Sequence, residues 1–141
     1  MKIQQALFGR LAFALLAGAT TVASAQTTGL VATPSPVNIS TRGGELAYQY
    51  VTIKNYGPGF ASNLAVSLSG GRHTSALSIG SDTCTGARLA QGGFCSVQLV
   101  FDAACYVRAG STDTWQFGVS STELQGAYAQ VNGTVLTREC I

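Results

Sequence analysis

Long apolar runs are scarce in this sequence, and a membrane-spanning helix needs about 20 consecutive apolar residues. The one shorter run, from about Leu11 to Ala19, follows the basic residues Lys2 and Arg10 and precedes small residues. A basic start, a short apolar stretch and a small-residue cleavage point are typical of a secretory signal peptide. We therefore predict a signal peptide at residues 1–25 and one exported domain at residues 26–141, with no stable membrane span after cleavage.

Charged side chains are also few, at 10% of the chain. Two of the eight basic residues lie in residues 1–25, so the predicted mature domain balances its basic and acidic side chains. Lys54 is the only lysine of that domain. Because no basic stripe remains to neutralise phosphates, nucleic acid is excluded as an expected partner.

Groups that carry catalysis or bind metals are equally rare. The only histidine, His73, lies between glycines and small polar residues, and the chain has neither a Cys-x-x-Cys nor a Gly-x-Ser-x-Gly motif. A Ser-His-Asp triad would have to combine His73 with Asp82, Asp102 or Asp113. Zinc sites need clustered cysteine and histidine ligands. We predict no catalytic residues, no metal site and no cofactor.

Helical periodicity is missing as well, whereas alternation of apolar and polar residues recurs along the domain. It is clearest in Leu46–Lys54 and in Cys95–Phe101, and it continues in "LAVSL", "TWQFGV" and "YAQVNGTVL". The segment "TPSPVNIS" is a proline-interrupted start, and glycine-rich turns separate the later runs. Six or seven short strands at this spacing predict an all-β sandwich, in which Trp115 faces the core.

The cysteines Cys84, Cys95, Cys105 and Cys140 all lie in the predicted mature domain. An even number of cysteines in an exported chain predicts two disulfides. Three pairings are possible, and local geometry favours Cys84 with Cys95 and Cys105 with Cys140. Closing a loop of about 12 residues, as the first pair does, stabilises a domain by roughly 3 kcal/mol in the chain-entropy model.

The stretch "SDTCTGARLAQGGFCSVQLVFDA", residues 81–103, resembles the hallmark of bacterial immunoglobulin-like domains of the ASH/Hydin type, which occur in choice-of-anchor D proteins. Those domains carry a Cys, a small polar turn, Leu-Ala-Pro-Gly, a second Cys and a Val-x-Phe strand. Here Gln91 replaces the usual proline, and Asp102-Ala103 replaces Thr-Pro. Residues 50–70 look like the same family's strand, Asn-x-Gly turn and following strand. The resemblance implies a seven-stranded antiparallel immunoglobulin-like β-sandwich that serves as a scaffold or binding module.

Two tyrosines of the first long strand are the candidate contact residues. Tyr48 and Tyr50 share a face with Leu46, opposite the face of Val51 and Ile53. If Val51 and Ile53 face the core, the tyrosines form an exposed aromatic patch that could bind sugar or protein. The alternative is that both tyrosines are ordinary strand formers.

These features favour an exported, non-catalytic structural or interaction protein. It would be a subunit of a cell-surface or extracellular assembly, such as a fibre or pilus, and would contact neighbours through sandwich edges. The expected partner is another protein or further copies of the chain. The alternative is a monomeric periplasmic or secreted module that binds a glycan or a protein ligand. Because Ile141 directly follows Cys140, we expect the domain to act alone or by assembly.

Overall fold

The computed structural model describes residues 29–103 and 108–137. The predicted signal peptide, Cys105 and Cys140 lie outside the described residues, so the leader and the second disulfide stay predictions. The described part of the chain consists of strands and connecting loops, without helices. Accordingly, no helix in it is long and apolar enough to cross a membrane.

Eight strands build two four-stranded sheets. They are β1 (Leu30–Thr33), β2 (Val37–Thr41), β3 (Leu46–Asn55), β4 (Ala65–Gly70), β5 (Leu77–Asp82), β6 (Phe94–Asp102), β7 (Thr112–Ser120) and β8 (Ala127–Val135). The first sheet has the order β1-β3-β6-β5 and the second the order β2-β8-β7-β4. The predicted all-β sandwich is confirmed.

The core lies between the sheets because alternate residues of each long strand turn inward. In β6, the side chains of Val97 and Leu99 are fully buried, and β3 contributes Val51 and Ile53. The second sheet supplies further fully buried side chains: Trp115, Phe117, Val119, Val131 and Val135. The expected inward face of β3 and the expected burial of Trp115 are both confirmed.

The expected strand number of seven is wrong, and so is the expectation that every pair is antiparallel. The N-terminal segment forms two strands: β1 pairs with β3 in the first sheet, and β2 pairs in parallel with β8 in the second. Pro34 and Pro36 lie at this crossing, and proline has no N–H to continue the ladder with β3. Between them the chain leaves one sheet for the other.

The predicted disulfide between Cys84 and Cys95 is present, with the two Cα atoms 5.1 Å apart. Both cysteines are buried, and the bond ties the loop after β5 to the start of β6. The Asp82 carboxylate accepts the main-chain N–H groups of Cys84 and Thr85 at 2.7 and 3.0 Å. This turn directs Cys84 toward β6, so the pair is a structural cross-link.

A buried amide fixes the loop that follows β3. The side chain of Asn55 is fully buried and donates to the carbonyl groups of Gly59 and Leu89, each at 3.0 Å. Its own oxygen accepts the N–H of Gly57 at 2.9 Å. Asn55 therefore joins the loop after β3 to the loop that the disulfide closes.

Candidate functional site

The first candidate site is the half of β3 that has a strand on one side only. β1 pairs only with Thr52–Asn55, whereas β6 pairs along the whole of β3. Within the described ranges, no strand pairs with Leu46–Val51 on the β1 side. In the part of the chain that the structure describes, half of β3 is thus an unpaired sheet edge.

Hydrogen bonds at the end of β3 show which main-chain groups face this open side. The N–H of Asn55 donates to the carbonyl of Gly93 on the β6 side, whereas the N–H of the next residue, Tyr56, donates to Gly29 on the β1 side, both at 2.9 Å. In antiparallel pairing, successive residues direct their N–H and C=O groups to opposite neighbours. The main-chain N–H and C=O groups of the even-numbered residues of β3 therefore point to the β1 side.

In the open half these residues are Leu46, Tyr48 and Tyr50, which we name the tyrosine edge. Their main-chain N–H and C=O groups point away from β6. The side-chain amide of Gln49 donates to the Tyr50 carbonyl at 3.2 Å. The same three side chains lie on the outer face of the sheet and are 51%, 56% and 54% exposed. Within the described residues, main-chain groups without a strand partner and exposed side chains thus belong to the same three residues.

A hydrogen bond holds Tyr50 in place, and side chains of opposite charge lie at the two ends of the tyrosine edge. The Tyr50 hydroxyl accepts the side-chain amide of Gln98 at 3.1 Å. Asp102 lies opposite Leu46 at one end, and Lys54, whose ammonium group lies 5.0 Å from the Tyr56 ring centroid, lies at the other. Val51 and Ile53 face the core and both tyrosines are exposed, so the condition for an exposed aromatic patch is met, and contact with a partner remains a prediction.

The second candidate is a small cavity of about 60 Å³ between the two sheets at one end of the sandwich. Its polar rim includes His73 and Asp113, whose Nδ1 and Oδ2 atoms are 3.4 Å apart. The Asp113 carboxylate also accepts the main-chain N–H groups of Arg72, His73 and Thr114 at 2.7, 2.9 and 2.9 Å. Burial raises the pKa of Asp113, but these hydrogen bonds outweigh it and hold the pKa below 3.8.

The cavity brings His73 together with one of the three aspartates that the sequence offered for a triad. Ser111 also lines it, but its hydroxyl donates to the Arg108 carbonyl. Among the described residues, no group of three His, Cys, Asp or Glu side chains could hold a metal. Asp113 uses its carboxylate to fasten the loop that carries His73.

Trp115 also lines the cavity and is 2% exposed. Its ring meets Phe101 edge-on, with the centroids 5.8 Å apart. A Cβ atom on Gly71 would lie 2.0 Å from the indole Nε1, and a Cβ on Gly133 would lie 2.8 Å from the same ring. Two glycines therefore make room for the tryptophan. Sequence reasoning missed both, because each contact joins residues that are distant along the chain.

Two four-stranded sheets pack face to face, and the first two strands, β1 and β2, belong to different sheets. This arrangement defines the class of protein: an immunoglobulin-like β-sandwich. No family model and no curated protein matches the sequence. Among solved structures, the ASH/PapD-like domain 7 of human CEP192 is similar over 93% of this chain and 100% of its own, with a TM-score of 0.54 and 12% identity.

Two further structures show the same fold within larger molecules. A chain of the CsuC-CsuE chaperone-tip adhesion subunit pre-assembly complex of Acinetobacter baumannii pili matches 77% of this chain and 57% of its own, with a TM-score of 0.51 and 11% identity. A family 123 glycoside hydrolase from Clostridium perfringens matches 73% of this chain at a TM-score of 0.58 and 10% identity. This chain spans only 23% of that hydrolase. At these identities, the likeness shows the fold alone.

Proposed function

We propose that this chain is an exported, non-catalytic interaction protein of the ASH/Hydin type, a subunit of a cell-surface or extracellular assembly that contacts its neighbours through a sandwich edge. The observation that carries the proposal is the tyrosine edge. An open strand presents main-chain donors and acceptors to a further strand, and exposed apolar side chains add contact area beside them.

Two other findings support this role. The chain's likeness to a component of a chaperone and pilus-subunit complex fits protein interaction in general. The buried Cys84–Cys95 disulfide fits export, because disulfides persist mainly in oxidising compartments. The predicted leader at residues 1–25 points the same way.

Size-exclusion chromatography with light scattering, combined with electron microscopy of the exported protein, tests the proposal. We expect particles larger than a monomer, and we expect Tyr48→Thr/Tyr50→Thr to reduce them to monomers. Threonine keeps the strand preference and removes the aromatic surface. The matched control is Tyr128→Thr, which removes an exposed tyrosine from the other sheet and should leave the particles intact.

A strictly monomeric protein at high concentration would contradict the assembly role. In that case the exposed tyrosines would favour the alternative, a monomeric periplasmic or secreted module that binds a glycan or protein ligand through Tyr48 and Tyr50. Loss of affinity in the same double variant would then be the test of that alternative.

A further inference from the structure

The outer face of the second sheet differs in chemistry from the tyrosine edge. None of its outward-facing strand residues is charged, whereas the first sheet carries Lys54 and Asp102 on its outer face. Almost all of these residues end in an amide or a hydroxyl group. They are Asn38, Ser40, Ala65, Ser67, Ser69, Thr112, Thr114, Gln116, Gly118, Ser120, Tyr128, Gln130, Asn132 and Thr134.

Hydrogen bonds hold the central part of this face in a fixed arrangement. Asn132 is the hub: its Oδ1 accepts from the Gln130 amide at 2.8 Å and from the Thr114 hydroxyl at 3.3 Å, and its Nδ2 donates to Asn38 Oδ1 at 3.0 Å. The network crosses β2, β8 and β7. The amide groups are therefore oriented before any ligand arrives, which lowers the entropy cost of binding.

One aromatic ring stands in this polar face. Tyr128 is 69% exposed and lies opposite Gly118 in the pairing of β7 with β8. A Cβ atom on Gly118 would lie 3.1 Å from two atoms of the Tyr128 ring and 2.9 Å from Ser67 Oγ. The ring thus packs across the space that the glycine leaves, and the sheet holds it in place.

We propose that this surface, which we name the amide face, binds a neutral polysaccharide. Sugar hydroxyls both donate and accept hydrogen bonds, as the amides and hydroxyls here do, and the apolar C–H side of a sugar ring packs on an aromatic ring such as Tyr128. A face without charge suits an uncharged ligand, because it offers no partner to a charged ligand that loses its water. A protein partner would meet a face with one aromatic ring and no aliphatic cluster, unlike the core of a protein interface.

Affinity gel electrophoresis of the full exported chain tests the proposal with four neutral polysaccharides: laminarin, dextran, glucomannan and xyloglucan. Polygalacturonate serves as the charged comparison. We expect retardation by at least one neutral polysaccharide. Tyr128→Thr should weaken the binding about tenfold or more, and Asn132→Ala should weaken it about threefold.

Two control variants show whether binding depends on the Tyr128 ring itself, and not on the folding of the variant or on the first sheet. Tyr128→Phe keeps the ring and should keep the affinity within about twofold, and thermal unfolding shows whether Tyr128→Thr still folds. Phe94→Thr removes an equally exposed ring (69%) from the first sheet without touching the tyrosine edge, and it should bind the polysaccharide as the natural chain does. Retardation by polygalacturonate alone, by no polysaccharide, or equally in Tyr128→Thr would overturn the proposal. Loss of binding in Phe94→Thr would move the site to the first sheet and overturn the proposal as well.

Discussion

At the scale of single residues, the indole ring of Trp115 leaves no space for a side chain at Gly71. We predict that Gly71→Ala destabilises the fold by about 2–5 kcal/mol, because a Cβ there would overlap the indole nitrogen and a left-handed backbone adds strain. Gly59→Ala is the matched control: the φ angles are +80° and +81°, but nothing lies within 4 Å of a Cβ on Gly59. We expect it to cost only about 1–2 kcal/mol. Urea unfolding measures both, and equal losses would contradict the account.

The positions of some residues followed from the sequence and those of others did not. Alternation along one strand shows which side chains share a face, so the exposure of Tyr48 and Tyr50 and the burial of Trp115 were predictable. The contacts of Asn55 with Leu89 and of His73 with Asp113 join residues 34 and 40 positions apart. No local pattern encodes such pairs, because the fold alone brings them together.

At the scale of elements, strong alternation predicted β3, β6, β7 and β8, and weak alternation left β5 unrecognised. Only Leu77 of β5 is buried, and its pairing with β6 shifts register between Ile79 and Asp82. An edge strand with one exposed side and a bulge has no clean period of two. The proline-interrupted start was recognised in the sequence, but its division between two sheets depends on which strands it meets.

The disulfide offers a prediction at the same scale. Replacing both Cys84 and Cys95 with alanine should lower the free energy of unfolding by about 3 kcal/mol, because the unfolded chain regains the freedom of the closed loop. Urea unfolding of the variant and the natural chain measures the difference. A loss below about 1 kcal/mol would show that the hydrogen bonds of Asp82 and Asn55 hold these loops without the cross-link.

For the whole molecule, two aspartates predict the response to acid. Burial raises the pKa of Asp82, but hydrogen bonds from Thr85 and Cys84 outweigh this effect and lower the pKa below 3.8. Burial also raises the pKa of Asp113, and hydrogen bonds from main-chain N–H groups likewise lower it below 3.8. A carboxylate with a lowered pKa stabilises the fold above the unfolded value of 3.8, and this contribution is lost as the pH falls through the folded value.

We therefore expect the urea midpoint to stay level from about pH 7 to pH 5 and to fall below about pH 4. The double variant Asp82→Asn/Asp113→Asn should start from a lower midpoint and lose less of it on acidification. An acid response as steep as that of the natural chain would place the responsible groups elsewhere.

The positions of the two proposed surfaces also matter at the scale of the whole molecule. The tyrosine edge lies on the first sheet and the amide face on the second, so the sandwich core separates them. A ligand on one need not displace a partner on the other. A subunit of an assembly could thus present the amide face outward while its edge is occupied.

The parallel pairing of β2 with β8 has a mechanical consequence. These strands stand near the two ends of the described chain and run in the same direction, along the five residues of β2. A force that pulls the ends apart therefore acts along both strands in opposite senses and shears all their hydrogen bonds together, instead of opening them one at a time. We therefore expect this β-sandwich to resist tension that is applied along β2 and β8.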